Sequence, residues 1–229
     1  MGRYLLNRDA YMSVTPDGAV FLQLSTNKYL AISASELNDV YEAIESNDHP
    51  AIPTDRLIQD LTDAGVLTVN RDRGKAFVAA ELGCVPTASL SEAHLSPARP
   101  ITARDVGNFV YSWLQARIAF RRLSLEQRVA RIRLLRNRCP ESGSCDAGRA
   151  GELFDVFRRV RPFFYTAKQA CLFDCYVLLL FYSRYELIPL WVFGIRTRPF
   201  GAHCWLQLDK YAVTGGHEFL RGFTPIMTV

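Results

Sequence analysis

Ala170-Cys171-Leu172-Phe173-Asp174-Cys175, running on through the apolar stretch Tyr176–Tyr182, decides how this chain is read. An apolar run of that length behind a cysteine predicts a buried helix with Cys171 at its mouth. There the exposed N–H groups and the positive end of the helix dipole favour a thiolate. Beyond it Ile188-Pro189 breaks the pattern, Leu190–Ile195 reads as a buried strand, Arg196–Gly201 as a connecting loop and His203–Leu208 as a further strand. Side chains alternate across a strand, which puts Cys204, Leu206 and Leu208 on a core face and His203, Trp205 and Gln207 on the face toward the Cys171 helix. An imidazole so placed can take the thiol proton and return it to a leaving amine. Asp209-Lys210 then turns the chain into a last partner, Tyr211–Thr214.

Upstream, Thr102–Leu123 shows helical spacing through Val106, Phe109, Val110, Trp113, Arg117 and Phe120, and Ser124–Asn137 is a second, arginine-rich helix. Both read as packed helices with a solvated basic face. Cys139–Gly151 is a glycine and serine loop, Glu152–Val160 a helical turn, and Pro162 a stop. Between Arg71 and Pro100 the punctuation by Pro86, Pro97 and Pro100 marks a linker. The domain organisation is therefore residues 1–80, a linker over 81–100, and a second domain over 101–229.

The first domain reads as a hairpin, Ala10–Val14 and Ala19–Leu24 around Pro16-Asp17-Gly18, then a strand Lys28–Ile32. Ser33 or Ser35 caps a helix to about Glu45, Thr54 caps a second that Gly65 stops, and Val66–Val69 is a short strand. The order predicts a small winged-helix-like module, so the fold class of the whole is α+β. Nucleic-acid binding fails on charge, because the second helix carries Asp55, Asp60 and Asp63 against Arg56 alone. Peptide binding fits: an extended peptide can add to the edge formed by Lys28, Tyr29, Leu30 and Ala31 and place apolar side chains against Leu57 and Leu61.

Composition agrees with a packed protein. The chain has 229 residues, 49% of them hydrophobic, which excludes a disordered chain. Its net charge of +4, concentrated in Arg117–Arg138 and Arg158–Arg161, permits an acidic partner without demanding one. The N-terminus lacks the apolar run of a signal peptide, so the six cysteines point to a reducing cytoplasm rather than to disulfides. Leu6 stands where a myristoylation motif wants Ser or Thr, and no apolar run reaches the roughly 20 residues of a membrane span.

Four stretches together carry a resemblance: Ala170-Cys171-Leu172 with its helix, Ile188–Arg196, Pro199–Gln207, and Arg221-Gly222-Phe223-Thr224-Pro225-Ile226. They resemble the B proteins of lasso peptide biosynthesis, leader peptidases of the transglutaminase-like cysteine peptidases. The N-terminal module resembles the precursor-recognition element of ribosomally made peptides and is similar to the pyrroloquinoline quinone peptide chaperone, fused here to the peptidase as in microcin-type systems. The resemblance implies a transglutaminase/papain-like peptidase domain that cuts the leader from a precursor peptide, needs no cofactor, and works beside a separate ATP-dependent cyclase. It makes Cys171 the nucleophile and His203 its base. The family's third member, an aspartate in a Val-Asn-Asp run, falls where Val213-Thr214-Gly215 stands, and Gly215 can orient nothing. Asp209 lies about 20 Å of extended strand away from His203. A backbone carbonyl, Gln207 or an acid from elsewhere remain as orienters. A papain-like oxyanion glutamine would fall at Tyr165, which leaves backbone N–H groups near Cys171 for that role.

Two other functions share these residues: a transglutaminase proper, passing the acyl group to an amine, and an inactive scaffold that presents precursor to the cyclase. A metal site built from Cys171, Cys175, His203 and Cys204 fails on direction, since His203 and Cys204 point to opposite faces of their strand. Cys139 and Cys145 read as loop thiols, and His49, His94 and His217 as surface residues without companions.

Overall fold

The computed structural model describes residues 4–45, 56–78, 85–90, 99–138, 147–166 and 171–229. It divides into two compact units. The first comprises Met1–Glu81 with Ile195–Gly201 and Thr224–Met227, and the second comprises Leu82–Gly194, Ala202–Phe223 and Thr228–Val229.

The first unit begins with β1 (Leu5–Asn7), β2 (Ala10–Thr15), β3 (Gly18–Gln23) and β4 (Lys28–Ser33), followed by α1 (Ala34–Glu45), α2 (Arg56–Asp63), β5 (Leu67–Thr68) and β6 (Gly74–Lys75). Strands β2, β3 and β4 form an antiparallel meander with β4 at its edge, and β1 joins β5 and β6 in a second small sheet that the sequence reading lacks. Gly18 is required at the hairpin turn: its φ is +139°, and a Cβ there would lie 2.0 Å from the Ile32 carbonyl oxygen. Ser33 caps α1, since the Glu36 N–H donates to its Oγ while its own N–H donates to Glu36 Oε2 at 2.7 Å. Thr54 lies outside the described residues. Register pairs Met12 with Phe21 and Phe21 with Leu30. That face of the meander buries Ala10, Met12, Ala19, Phe21 and Ile32 against Leu37 and Val40 of α1 and Ile58 and Leu61 of α2. The opposite face is closed as well, with Val20 and Leu22 at most 1% exposed. Phe200 meets Tyr29 there at 5.9 Å between ring centroids, and Thr197 Oγ1 donates to Asp17 at 2.8 Å.

In the second unit β7 (Ala88–Ser89) precedes α3 (Ala103–Arg122), α4 (Leu125–Asn137), α5 (Ala147–Val160), a 3-10 turn at Arg161–Phe163, and α6 (Cys171–Ser183). Then follow β8 (Leu190–Thr197), β9 (Phe200–Leu208), β10 (Tyr211–Ala212), α7 (His217–Leu220) and β11 (Thr224–Thr228), of which Ile195–Thr197, Phe200-Gly201 and Thr224–Met227 are counted with the first unit. The five strands run in the order β11-β8-β9-β10-β7. Residues 81–100, expected as linker, thus supply the edge strand β7, which lies parallel to β10 because the Ala88 and Leu90 N–H groups donate to Lys210 and Ala212. The expected loop Arg196–Gly201 is a tight hairpin, with β8 extending to Thr197 and β9 starting at Phe200.

Helix α6 is buried from Asp174 to Tyr182. Its apolar run reads as buried all round, and α3 covers one side through Phe120 against Phe173 and Tyr176. Thr102 with Asp105, and Ser124 with Gln127, form reciprocal capping boxes at the starts of α3 and α4. Helix α5 starts at Ala147 rather than Glu152. Gly148 and Gly151 are poor helix formers, but burial of Ala150, Leu153, Phe154 and Phe157 along one stripe offsets that preference. Among the described residues no helix is long and apolar enough to cross a membrane.

Candidate active site

Cys171 is the first residue of α6, so its thiol stands among the unpaired N–H groups of the opening turn. It hydrogen-bonds to Cys204 and His203 of β9. Donation by the Cys204 side chain outweighs burial, and the His203 side chain, the Cys204 backbone and the charge of the imidazole add to it, so that the Cys171 thiol is pulled down to about 4. The Cys204 thiol is pushed up in turn, because its proton is held between Cys171 and Cys175. One turn along α6, the Cys175 thiol donates to the Cys204 carbonyl oxygen at 3.5 Å and lies 3.5 Å from Thr214 Oγ1. Thr214 Oγ1 accepts the Leu206 N–H at 2.9 Å, so this hydroxyl links the thiol side of α6 to the β9 backbone.

His203 sits among aromatic rings. Trp205, two residues along the same face, is stacked with an interplanar angle of 16° at 6.5 Å between centroids. Phe219 of α7 stands perpendicular at 5.5 Å, Phe223 is tilted at 5.6 Å, and these two phenylalanines touch each other at 5.2 Å. Trp205 also packs with Val192, Ala212 and Leu220. Its Nε1–H donates to Gln207 Oε1 at 3.1 Å, and Gln207 Nε2 donates to the Asp209 carbonyl at 2.8 Å.

This reverses the expected use of the two faces of β9. Cys204 meets the thiols of α6, while Trp205 belongs to the face with α7. Burial could not tell them apart: every residue from Cys204 to Leu208 is buried, because both faces are covered. The imidazole and the Cys204 thiol nevertheless both reach Cys171, so the argument from direction against a shared cluster does not hold. Among the described residues no group of His, Cys, Asp and Glu is arranged to hold a metal ion.

Gly215 has φ +82° in the turn before α7. Among the described residues no acid is hydrogen-bonded to His203, and Gln207 makes bonds to Trp205 and to the Asp209 carbonyl. Tyr165 donates to Asp174 Oδ1 at 2.8 Å, and Arg161 to Asp174 Oδ2 at 2.9 Å. Burial raises the Asp174 carboxyl, and these two donors pull against it. His217 is half-buried and has a companion after all, its Nδ1 lying 3.0 Å from Ser89 Oγ. Cys139, Cys145, His49 and His94 lie outside the described residues.

A thiol ionised at a helix mouth, with an imidazole on an adjoining strand, is an arrangement for forming and resolving a thioester. A family model described as the transglutaminase-like superfamily matches residues 111–228, just over half the chain. The chain belongs to the transglutaminase-like superfamily. No curated protein and no solved structure matches it. As a transglutaminase-like domain it carries a cysteine-protease-like fold, and its chemistry is of the cysteine peptidase or acyltransferase kind. The superfamily match spans Cys171, His203 and the aromatic residues around His203.

The expected peptide-binding residues are divided. Lys28, Tyr29, Leu30 and Ala31 do lie on the edge strand β4. Leu61, however, is 3% exposed and belongs to the core, so it presents no surface; it lies on the stripe that α2 turns inward. Leu57 and Leu30 are half-buried against that core, whereas Tyr29 points to the opposite face of the meander, where it meets Phe200. Phe219, Phe223, Thr214 and Asp174 received no role from the sequence alone, since a phenylalanine, a lone hydroxyl or a lone carboxylate carries no spacing that marks a site.

Proposed function

We propose that this chain is a leader peptidase of lasso peptide maturation, which binds a ribosomally made precursor through its leader and cuts the leader off. The observation that carries the reading is the ionised Cys171 thiol hydrogen-bonded to His203 at the mouth of α6, in a chain of the transglutaminase-like superfamily. The thiolate attacks the scissile carbonyl. Backbone N–H groups of the α6 opening turn receive the oxyanion, and the protonated His203 gives its proton to the departing amine. His203 then takes a proton from water, the hydroxide cleaves the thioester, and the acid product leaves with Cys171 restored. The edge of β4 takes the leader as an added strand, with Lys28, Tyr29, Leu30 and Ala31 supplying the backbone ladder and Leu57 a flank. The freed core peptide passes to an ATP-dependent cyclase.

Mass measurement of a lasso precursor peptide incubated with the protein tests this. Two fragments whose masses add up to that of the precursor plus one water support the peptidase. A product carrying an added amine makes the protein a transglutaminase, and an unaltered precursor retained by the protein makes it a scaffold. Cys171→Ala protein that still cuts overturns the mechanism.

A further inference from the structure

The imidazole of a thiol–imidazole pair has to be held in one orientation, and a carboxylate or amide on its far nitrogen usually does so. Gly215 has no side chain with which to do it, and among the described residues no acid bonds to His203. What surrounds the ring is Trp205 stacked on one side, Phe219 perpendicular to it and Phe223 tilted against it. Trp205 is itself fixed. Its Nε1–H is held by Gln207, Gln207 is held by the Asp209 carbonyl, and Gly194 leaves the room its ring occupies, since a Cβ there would fall 2.6 Å from Trp205 Cζ3. Rings on three sides restrict the rotamers open to the imidazole.

We propose that Trp205, locked by Gln207, together with Phe219 and Phe223, are positioning residues for His203, and that the packing of these rings orients the imidazole toward Cys171. The proposal rests on the reading of Cys171 and His203 as a nucleophile–base pair. Phe219 is the informative member, because it is 53% exposed and contributes little to the core. Its ring is maintained beside His203 by Phe223 on the following turn.

The test needs no precursor peptide. Full-length protein is treated with iodoacetamide between pH 3.5 and 9, and alkylation of Cys171 is followed by mass spectrometry of its peptide. The titratable groups facing this thiol are His203 and Cys204 from β9 and Cys175 and Asp174 from its own helix, and all four stay unchanged in the Phe219 variants. Phe219→Ala should move the alkylation midpoint upward by about one pH unit and slow the reaction at pH 4 roughly fivefold, because an imidazole free to turn away no longer holds the thiolate. Phe219→Tyr should restore the wild-type profile, and Trp205→Phe should lie between. A His203→Ala control separates the two levels of inference. If it leaves the profile unmoved, the pair itself fails and the proposal with it. If it moves the profile while Phe219→Ala and Trp205→Phe do not, the pair stands and the aromatic positioning is overturned. A lower melting temperature without a change of midpoint also overturns it, since that is what a merely structural role gives.

Discussion

At the scale of single residues, Cys204 is the member whose chemistry is easiest to isolate. It is the first donor to the Cys171 thiolate, ahead of His203. Removing it in Cys204→Ala should raise the Cys171 midpoint from about 4, so that alkylation at pH 5 slows while the rate at pH 9 is unchanged. The sign for stability follows from the same shift. A depressed thiol stabilises the fold fully above its unfolded value, and the contribution is lost as pH falls through about 4. The variant should therefore lose melting temperature most at neutral to alkaline pH and approach wild type in acid. Gly194 offers a second test, of space rather than charge. A Cβ at this position would stand 2.6 and 2.9 Å from two Trp205 ring carbons and 3.1 Å from Phe223 Cβ. The indole is 1% exposed and cannot retreat, so Gly194→Ala should cost about 1–3 kcal/mol in chemical denaturation. It should also disturb the ring stack on His203, which the Cys171 alkylation profile would register.

At the scale of elements, the start of α3 is heavily bonded. Asp105, 2% exposed, accepts from both Arg99 guanidinium nitrogens at 2.8 Å, from the Thr102 N–H at 2.9 Å and hydroxyl at 2.7 Å, and from the Tyr185 hydroxyl at 2.6 Å. Arg99 above all holds this carboxyl well below the usual carboxylate range, against the opposing effect of burial. Asp105→Asn should cost about 3 kcal/mol, the scale of breaking a buried ion pair. Because the pKa is depressed, the contribution is complete above the unfolded value near ~4 and fades below it. Melting curves of the two proteins should thus converge as pH drops under 4. Elements of this kind were legible in the sequence: Thr102 and Ser124 head their helices, and Cys171 opens the apolar run as its spacing predicts. Less legible were contacts between residues distant in the chain. The strand Ala88–Ser89 has two residues and no pattern of its own, and it exists because β10 offers backbone partners. The faces of β9 could not be assigned because alternation identifies a buried face only when the other is wet. Leu61 illustrates the same limit on a helix, where a stripe read as binding surface is the stripe that packs inward.

At the scale of the whole molecule, the first unit is assembled from three separate stretches of chain. A fragment ending near residue 81 lacks Ile195–Gly201 and Thr224–Met227, and with them Phe200 against Tyr29 and Thr197 on Asp17. Such a fragment should melt at a lower temperature than the same unit in the full chain, bind a hydrophobic dye, and self-associate during gel filtration. A fragment as stable and monomeric as the parent would show that Val20 and Leu22 need no cover from those segments. The same discontinuity sets a schedule for synthesis. A ribosome adding 5–20 residues per second needs about 7–30 s to travel from the end of the first stretch to residue 227. Throughout that interval the nascent meander carries its apolar underside without the segments that complete it. The earliest stretch of the first unit is thus among the last parts of the molecule to be finished.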